Sequence, residues 1–196
     1  MSQLDAQYWE KRYQASDTPW NIGYPSPALV RFFQSLPHKD LRILIPGAGY
    51  AHEAEWLWRA GFRHVFVCDW AASAFCHLRK RVPQFPDQHL FISDFFALTP
   101  AYDLIVEQTF FCALPPQRRP DYVRQCAHLL SPRGILAGLL FAQPFPFEGP
   151  PFGGTLQEYR ALFKPFFHIE QMHVCPHSIK PRQERELFFL AKKRQL

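Results

Sequence analysis

The sequence predicts an open α/β fold: a seven-stranded, mostly parallel sheet with an antiparallel last strand and helices on both faces. Three observations carry that expectation. Short apolar runs alternate with helix-patterned segments across residues 41–141, which marks a parallel sheet covered on both sides. The first run, 42–45, meets Gly47-Ala48-Gly49 and passes straight into helical periodicity, as a strand–turn–helix unit does. The tail holds two strand-like runs, 166–174 and 186–192, with no helical pattern between them. Strand–helix units closed by such a pair fit seven strands better than the six of a dinucleotide-binding sheet.

Each element follows from local signals. Segment 4–13 is amphipathic, and the polar stretch 14–24 breaks it. Ser26-Pro27, a capping residue before a proline in the first turn, predicts a helix over 27–36. Strand 1 is read at 41–45 and its crossover helix at 50–60, closed by Gly61. Strand 2 covers 65–68 and ends at Asp69; a helix over 71–81 leads to strand 3 near 89–92, which ends at Ser93-Asp94. Strand 4 follows at 102–106, a helix at 116–130 and strand 5 at 134–141. The segment QPFPFEGPPFGG is too rich in proline for helix or central strand and reads as a long ordered loop. Thr155-x-x-Glu158 is a capping box that opens a short helix.

Composition removes several classes of function. At 196 residues the chain is expected to form one domain with a full core, residues 1–36 making a helical lid. No apolar stretch approaches the roughly 18 residues of a membrane span, and the polar N-terminus lacks a signal core, so a cytoplasmic monomer is expected. Five widely spaced cysteines without a Cys-x-x-Cys pair signal neither zinc nor a disulfide framework; they read as buried thiols. Nine histidines form no metal-binding spacing. The net charge of +5 is compatible with a small anionic substrate. The groups Arg79-Lys80-Arg81, Arg118-Arg119 and Lys192-Lys193-Arg194 read as solvated faces, not a nucleic-acid stripe.

In open α/β sheets a ligand lies beyond the carboxyl ends of the strands. Four ends are chemically distinctive: Gly47-Ala48-Gly49, Asp69 with Trp70, Asp94-Phe95-Phe96, and Glu107-Gln108. Gly47 and Gly49 let backbone approach a ligand at a helix start, and Asp69 is placed for ribose hydroxyls. A dinucleotide fingerprint wants a third glycine where His52 stands, and a pyrophosphate has no use for the nearby Glu53 and Glu55. S-adenosylmethionine (AdoMet) has no phosphate, and its cationic sulfonium and ammonium prefer acidic and aromatic neighbours. Asp94-Phe95 suits adenine. AdoMet is therefore favoured over NAD, with an NAD-dependent oxidoreductase and a non-catalytic AdoMet-binding protein as the alternatives.

These residues belong to a wider pattern. Trp9-x-x-x-Tyr13, Thr18-Pro19-Trp20-x-x-Gly23, Pro46-Gly47-x-Gly49 with His52, Asp94-Phe95-Phe96, Tyr102-Asp103-Leu104-Ile105, Phe111-Cys112-Ala113, Gly149-Pro150-Pro151-Phe152 and Pro176-His177-Ser178-Ile179 with Arg182 occur in order along nearly the whole chain. In this the sequence resembles the thiopurine S-methyltransferase family of class I AdoMet-dependent methyltransferases, above all its thiol, thiocyanate and halide branch. The resemblance implies a Rossmann-like methyltransferase fold and methyl transfer to a small soft nucleophile without a metal. It also implies that Trp9 and Trp20 close over the cofactor, with Tyr13 where some relatives carry a third tryptophan. Gly47 and Asp69 match the turn and ribose positions, and Asp94-Phe95 the adenine pocket. With Gly49, Trp70 and Glu107 these make the candidate cofactor set.

Tyr24, Gln108, Phe111, Phe152, His177 and Arg182 are the candidates for the acceptor pocket. Gln108 stands where the branch often has tyrosine, and Arg182 is followed by glutamine where relatives carry glycine. Gly-Pro-Pro-Phe resembles the box of enzymes that methylate exocyclic base amines, but it follows strand 5 and not strand 4, so a nucleic-acid substrate is not expected.

Overall fold

The computed structural model describes residues 4–47, 49–99 and 101–195. Seven strands form one mixed sheet in the order β3-β2-β1-β4-β5-β7-β6. They are β1 (Ile43–Pro46), β2 (Val65–Asp69), β3 (Leu90–Ile92), β4 (Tyr102–Gln108), β5 (Leu130–Phe141), β6 (Phe167–Val174) and β7 (Glu186–Lys193). The expected class therefore holds, with the antiparallel strand β7 placed between β5 and β6. The chain gathers into two compact units, Met1–Leu98 and Thr99–Leu196.

In the first unit, β1 pairs with β2 and β2 with β3, all parallel. All four residues of β1 and the first four of β2 are buried, as a sheet covered on both faces requires. Helices α1 (Ala6–Gln14), α2 (Pro27–Gln34), α3 (His52–Arg59) and α4 (Ala74–Arg81) complete it. Asp5 caps α1, its carboxylate accepting the Tyr8 amide at 2.9 Å.

Ser26 acts differently from a capping serine. Its side chain makes no cap bond, and its buried backbone amide donates instead to Glu53 Oε1 at 2.8 Å. Helix α3 starts two residues later than its pattern suggests because Ala51 is left-handed, with φ +56. Glu55 of the same helix binds Arg59 at 2.9 Å and Arg81, and those two cations hold its carboxyl below the usual range despite burial. Both acids that appeared free to meet a cationic ligand thus have structural partners, and Arg81 is no member of a solvated face.

The second unit contains α5 (Arg119–Leu129), preceded by a 3₁₀ turn, and α6 (Leu156–Phe163). Strand β4 is two residues longer than its apolar run because Glu107 and Gln108 pair with Gly138 and Leu139 of β5. Strand β5 begins at Leu130, four residues early. Tyr102 pairs with Leu130 but Leu104 with Ile135, so a bulge with Arg133 at φ +66 absorbs the extra residues. The capping box forms as expected: Thr155 Oγ1 accepts the Glu158 amide at 3.3 Å, and Glu158 Oε2 accepts the Thr155 amide at 2.7 Å.

The proline-rich loop between β5 and α6 is ordered by its own backbone. Gly154 donates to Gln143 O at 3.2 Å, and a Cβ on Gly153 would lie 1.7 Å from the same oxygen. Four of the five cysteines are buried; Cys76 is the exposed exception. Among the described residues no helix is long and apolar enough to cross a membrane, and no group of three His, Cys, Asp or Glu side chains could hold a metal.

Candidate functional site

The first unit brings most of the candidate cofactor residues together. Gly47 and Gly49 both have positive φ, +66 and +54, which glycine adopts without the penalty other residues meet. Ala48 lies outside the described residues. Gly47 donates to Cys68 O at 2.8 Å, which ties the turn to the end of β2. Above Gly49 sits the Trp20 indole, whose Cδ1 would be 3.6 Å from a Cβ at that position.

Trp20 is the centre of an aromatic cluster. Trp9 meets it edge-on at 5.6 Å between ring centroids and Tyr13 at 5.5 Å, while the Arg12 guanidinium lies 4.9 Å from its ring. Helix α1 is fastened from two points. Tyr13 donates its hydroxyl to Asp69 Oδ2 at 3.3 Å, and Glu10 accepts from the Ser73 amide at 3.2 Å and from the Ser73 hydroxyl. Burial, reinforced by the Asp69 charge, pushes the Tyr13 hydroxyl far above its ordinary value, so it stays a donor. The stretch after the second tryptophan is fixed through Asn21, whose Oδ1 lies 2.9 Å from His52 Nε2 and accepts the Gly23 amide at 2.9 Å. Burial, with Arg81 nearby, lowers the His52 pKa and favours the neutral ring.

Both aspartates also brace their own loops. Asp69 Oδ1 accepts the Ala71 amide at 2.8 Å, and Asp94 Oδ1 accepts the Phe96 amide at 3.0 Å. Each carboxylate has further acceptor capacity, so bracing fixes its orientation without exhausting it. Phe95 is 2% exposed, Phe96 and Trp70 are half-buried, and Tyr24 is exposed.

The second unit gives its candidate residues different places. Glu107 is fully buried. Its Oε1 accepts the amides of Phe110 and Phe111, both at 2.9 Å, and its Oε2 accepts the Tyr122 hydroxyl at 2.8 Å. Burial raises its pKa to about 7 in spite of those donors. The side chain thus organises the turn after β4, a task that the sequence did not indicate. Phe111 is 1% exposed and packs edge-on against Tyr122 and Tyr159, which makes it core. Phe152 is half-buried, its amide donating to Cys112 O at 2.6 Å.

Arg119 escaped sequence reasoning, since Arg118-Arg119 looks like a solvated pair. It is 8% exposed, donates Nη2 to Phe152 O at 3.0 Å and Gly153 O at 2.9 Å, and lies 4.7 Å from the Phe111 ring. Its position one turn from Tyr122 on α5 was the available signal. Arg182 donates Nη1 to Glu186 Oε1 at 3.3 Å and stands 5.5 Å from the Phe141 ring. Burial raises the Glu186 pKa, with Ser178 and Arg182 opposing. His177 is exposed. Gln108 is half-buried at the end of β4.

The architecture defines the class first. The fold matches a Burkholderia thailandensis 1,6-didemethyltoxoflavin-N1-methyltransferase, solved with bound 1,6-didemethyltoxoflavin and S-adenosylhomocysteine, at a TM-score of 0.79 and 15% identity, covering 97% of this chain and 87% of that one. The sheet is that of a class I methyltransferase. The family follows from sequence. The model of the thiopurine S-methyltransferase family matches residues 4–193, and the chain belongs to that family of AdoMet-dependent methyltransferases. It is 32% identical over 170 residues to the probable thiol methyltransferase 2 of Arabidopsis thaliana, covering 84% of this chain and 75% of that protein. It is 26% identical over 192 residues to the thiopurine S-methyltransferase of Acinetobacter baylyi, covering 85% and 87%.

Proposed function

We propose that this chain acts as one catalytic domain that moves a methyl group from AdoMet to a small, soft nucleophile: a thiol, thiocyanate, a halide or a thiopurine-like sulfur. The observation that carries the proposal is the aromatic cluster of Trp9, Tyr13 and Trp20 on the Gly49 turn, joined to Asp69 through the Tyr13 hydroxyl. Its chemistry fits AdoMet. Aromatic faces attract a nearby cation by about 0.5–2 kcal/mol, the glycine turn leaves room for backbone approach, and two oriented aspartates offer acceptors to hydroxyl and amine hydrogens. Gly47 and Gly49 would line the cofactor, Asp69 with Trp70 would meet its ribose, and Asp94 with Phe95 its adenine. Residues 1–36 serve as the lid.

Bound there, AdoMet supplies a methyl group on a positively charged sulfur, an excellent leaving group for in-line displacement. The protein's share is then alignment and exclusion of water, worth up to about 7–11 kcal/mol for well-oriented reactants. A halide or thiocyanate needs no base; a thiol must release its proton. Arg182 would supply the positive charge that steers an anionic acceptor.

Two measurements test this. AdoMet or S-adenosylhomocysteine at 100 times Kd is expected to stabilise the protein by about 2.7 kcal/mol, whereas NAD leaves it unchanged; stabilisation by NAD alone would overturn the proposal. S-adenosylhomocysteine release is expected with at least one of a thiol, bisulfide, iodide, thiocyanate or a thiopurine. Binding without release from any of them would indicate a non-catalytic AdoMet-binding protein.

A further inference from the structure

Gln108 closes β4, its Cα paired with Leu139 of β5. Its side-chain oxygen Oε1 is buried and has no hydrogen-bond partner among the described residues. A buried carbonyl without a partner is uncommon, since it forfeits its hydrogen bond to water and gains none in return. The residues around it are held firmly. Thr109 Oγ1 donates to the Gln108 carbonyl at 2.7 Å, Cys112 Sγ donates to Thr109 O at 3.2 Å, and the Glu107 carboxylate fixes the two amides that follow.

Thr109 adds an independent sign. Its φ is +62, a left-handed conformation that β-branched residues rarely adopt. Such strain gathers at ligand sites, where the surroundings enforce it. The carboxyl end of β4 is also where an open α/β sheet presents its ligand groups. Unsatisfied acceptor, enforced backbone and strand end fall on the adjacent residues Gln108 and Thr109.

We infer that Gln108 is a specificity-determining residue for the methyl acceptor: its buried amide oxygen accepts a hydrogen bond from an acceptor that carries a hydrogen on or beside its sulfur. The inference rests on the methyl-transfer proposal above and narrows it. A protonated thiol has an S–H to give, and a cyclic thioamide an N–H. Iodide and thiocyanate have neither, and they would leave the amide oxygen as unpartnered as it is now. A site built around a buried polar group discriminates strongly against ligands that lack the matching partner. The amide oxygen is too weak a base to remove the proton. It would hold the S–H or N–H while the acceptor sulfur's lone pair forms its bond to the methyl carbon and the methyl–sulfonium bond breaks, leaving neutral S-adenosylhomocysteine. The methylated acceptor then gives up its proton to solvent as it leaves.

The test uses the full chain at pH 7, where 2-mercaptoethanol, like thiols with pKa near ~8.5, is mostly protonated. S-adenosylhomocysteine release is measured with 2-mercaptoethanol, iodide and thiocyanate for the wild type, Gln108→Leu and Gln108→Glu. In the wild type, kcat/KM for the thiol is expected to exceed that for either anion. In Gln108→Leu the thiol value falls at least about 10-fold while the anions change less than about 3-fold, and calorimetric affinity for S-adenosylhomocysteine is unchanged. Gln108→Glu keeps the acceptor and adds charge. It is expected to retain thiol methylation and to depress both anions further, which provides a readout even if the leucine variant does not fold. Equal loss across all three acceptors, or a wild type that prefers iodide to the thiol, overturns the inference while leaving methyl transfer standing. Absence of both AdoMet binding and product release would overturn methyl transfer itself.

Discussion

Replacing Glu107 by glutamine retains the length of the side chain and one carbonyl oxygen for the Phe110 and Phe111 amides, and it removes a titratable group from a fully buried place. Burial lifts the carboxyl pKa from 4.5 to about 7. The folded protein therefore binds this proton more tightly than the unfolded chain does. The stabilisation is fully present below about pH 4.5 and is lost as pH rises through about 7. At about 1.4 kcal/mol per pH unit, a window of that width corresponds to roughly 3 kcal/mol, an order of magnitude that already includes the three donors around the carboxylate. Glu107→Gln is expected to match the wild type near pH 4.5 and to exceed it by up to roughly 3 kcal/mol at pH 8. Tyr122, whose hydroxyl can accept as well as donate, turns to receive the new amide. Urea unfolding of both proteins at half-unit steps from pH 4.5 to 8.5 reads the difference directly. Parallel stability curves, or a variant weaker than wild type at pH 8, would show that the carboxylate is not desolvated in this way.

Four further substitutions probe features of the fold and site. Arg119→Met removes the donor to Phe152 O and Gly153 O and is expected to cost about 2–4 kcal/mol, with faster hydrogen exchange across residues 143–155 and little change elsewhere. Gly138→Ala would place a Cβ 2.2 Å from Glu107 O; the β4–β5 pairing has to part, so a loss of at least ~2 kcal/mol is expected in thermal unfolding. At Gly23, where nothing lies within 4 Å of the added carbon but φ is +84, alanine should cost only about 1 kcal/mol. Arg182→Ala is expected to raise acceptor KM more than AdoMet Kd, as kinetics and calorimetry together would report; equal loss of both speaks against its role in steering.

The sheet was legible because burial on both faces imposes a continuous apolar run, and a run such as Val65–Asp69 needs no distant partner to be recognised. The capping box was legible for the same reason: Thr155 and Glu158 satisfy each other within one turn. What escaped depended on residues far apart in the chain. Nothing near Glu55 announces Arg81, 26 positions on, and nothing near Arg119 announces carbonyls 33 and 34 positions away. Charge in a sequence is read as solvated by default, and here Arg119 is buried and Arg81 half-buried against oxygens that only the fold supplies. The early start of β5 was hidden because a bulge breaks the alternation that marks a strand. On the candidate site, the glycine turn and the aromatic positions were legible as types. That Trp9, Tyr13 and Trp20 meet one another, and that Tyr13 reaches Asp69, required the fold.

The position of β7 governs how the second unit can be made. It is synthesised after β5 and β6, yet it pairs with both along almost its whole length, from Glu186 to Lys193. While a ribosome is still extending the chain, β6 has no neighbour to join, and β5 shows an open edge. Strand β7, made after both of its neighbours, is the wedge that closes the gap. Folding of this half therefore waits for long-range pairing, which is slow and leaves strand edges exposed to other chains. Deleting the eight residues of β7 would remove two strand interfaces at once, so a variant lacking this strand is expected to aggregate and not to fold into a slightly smaller sheet.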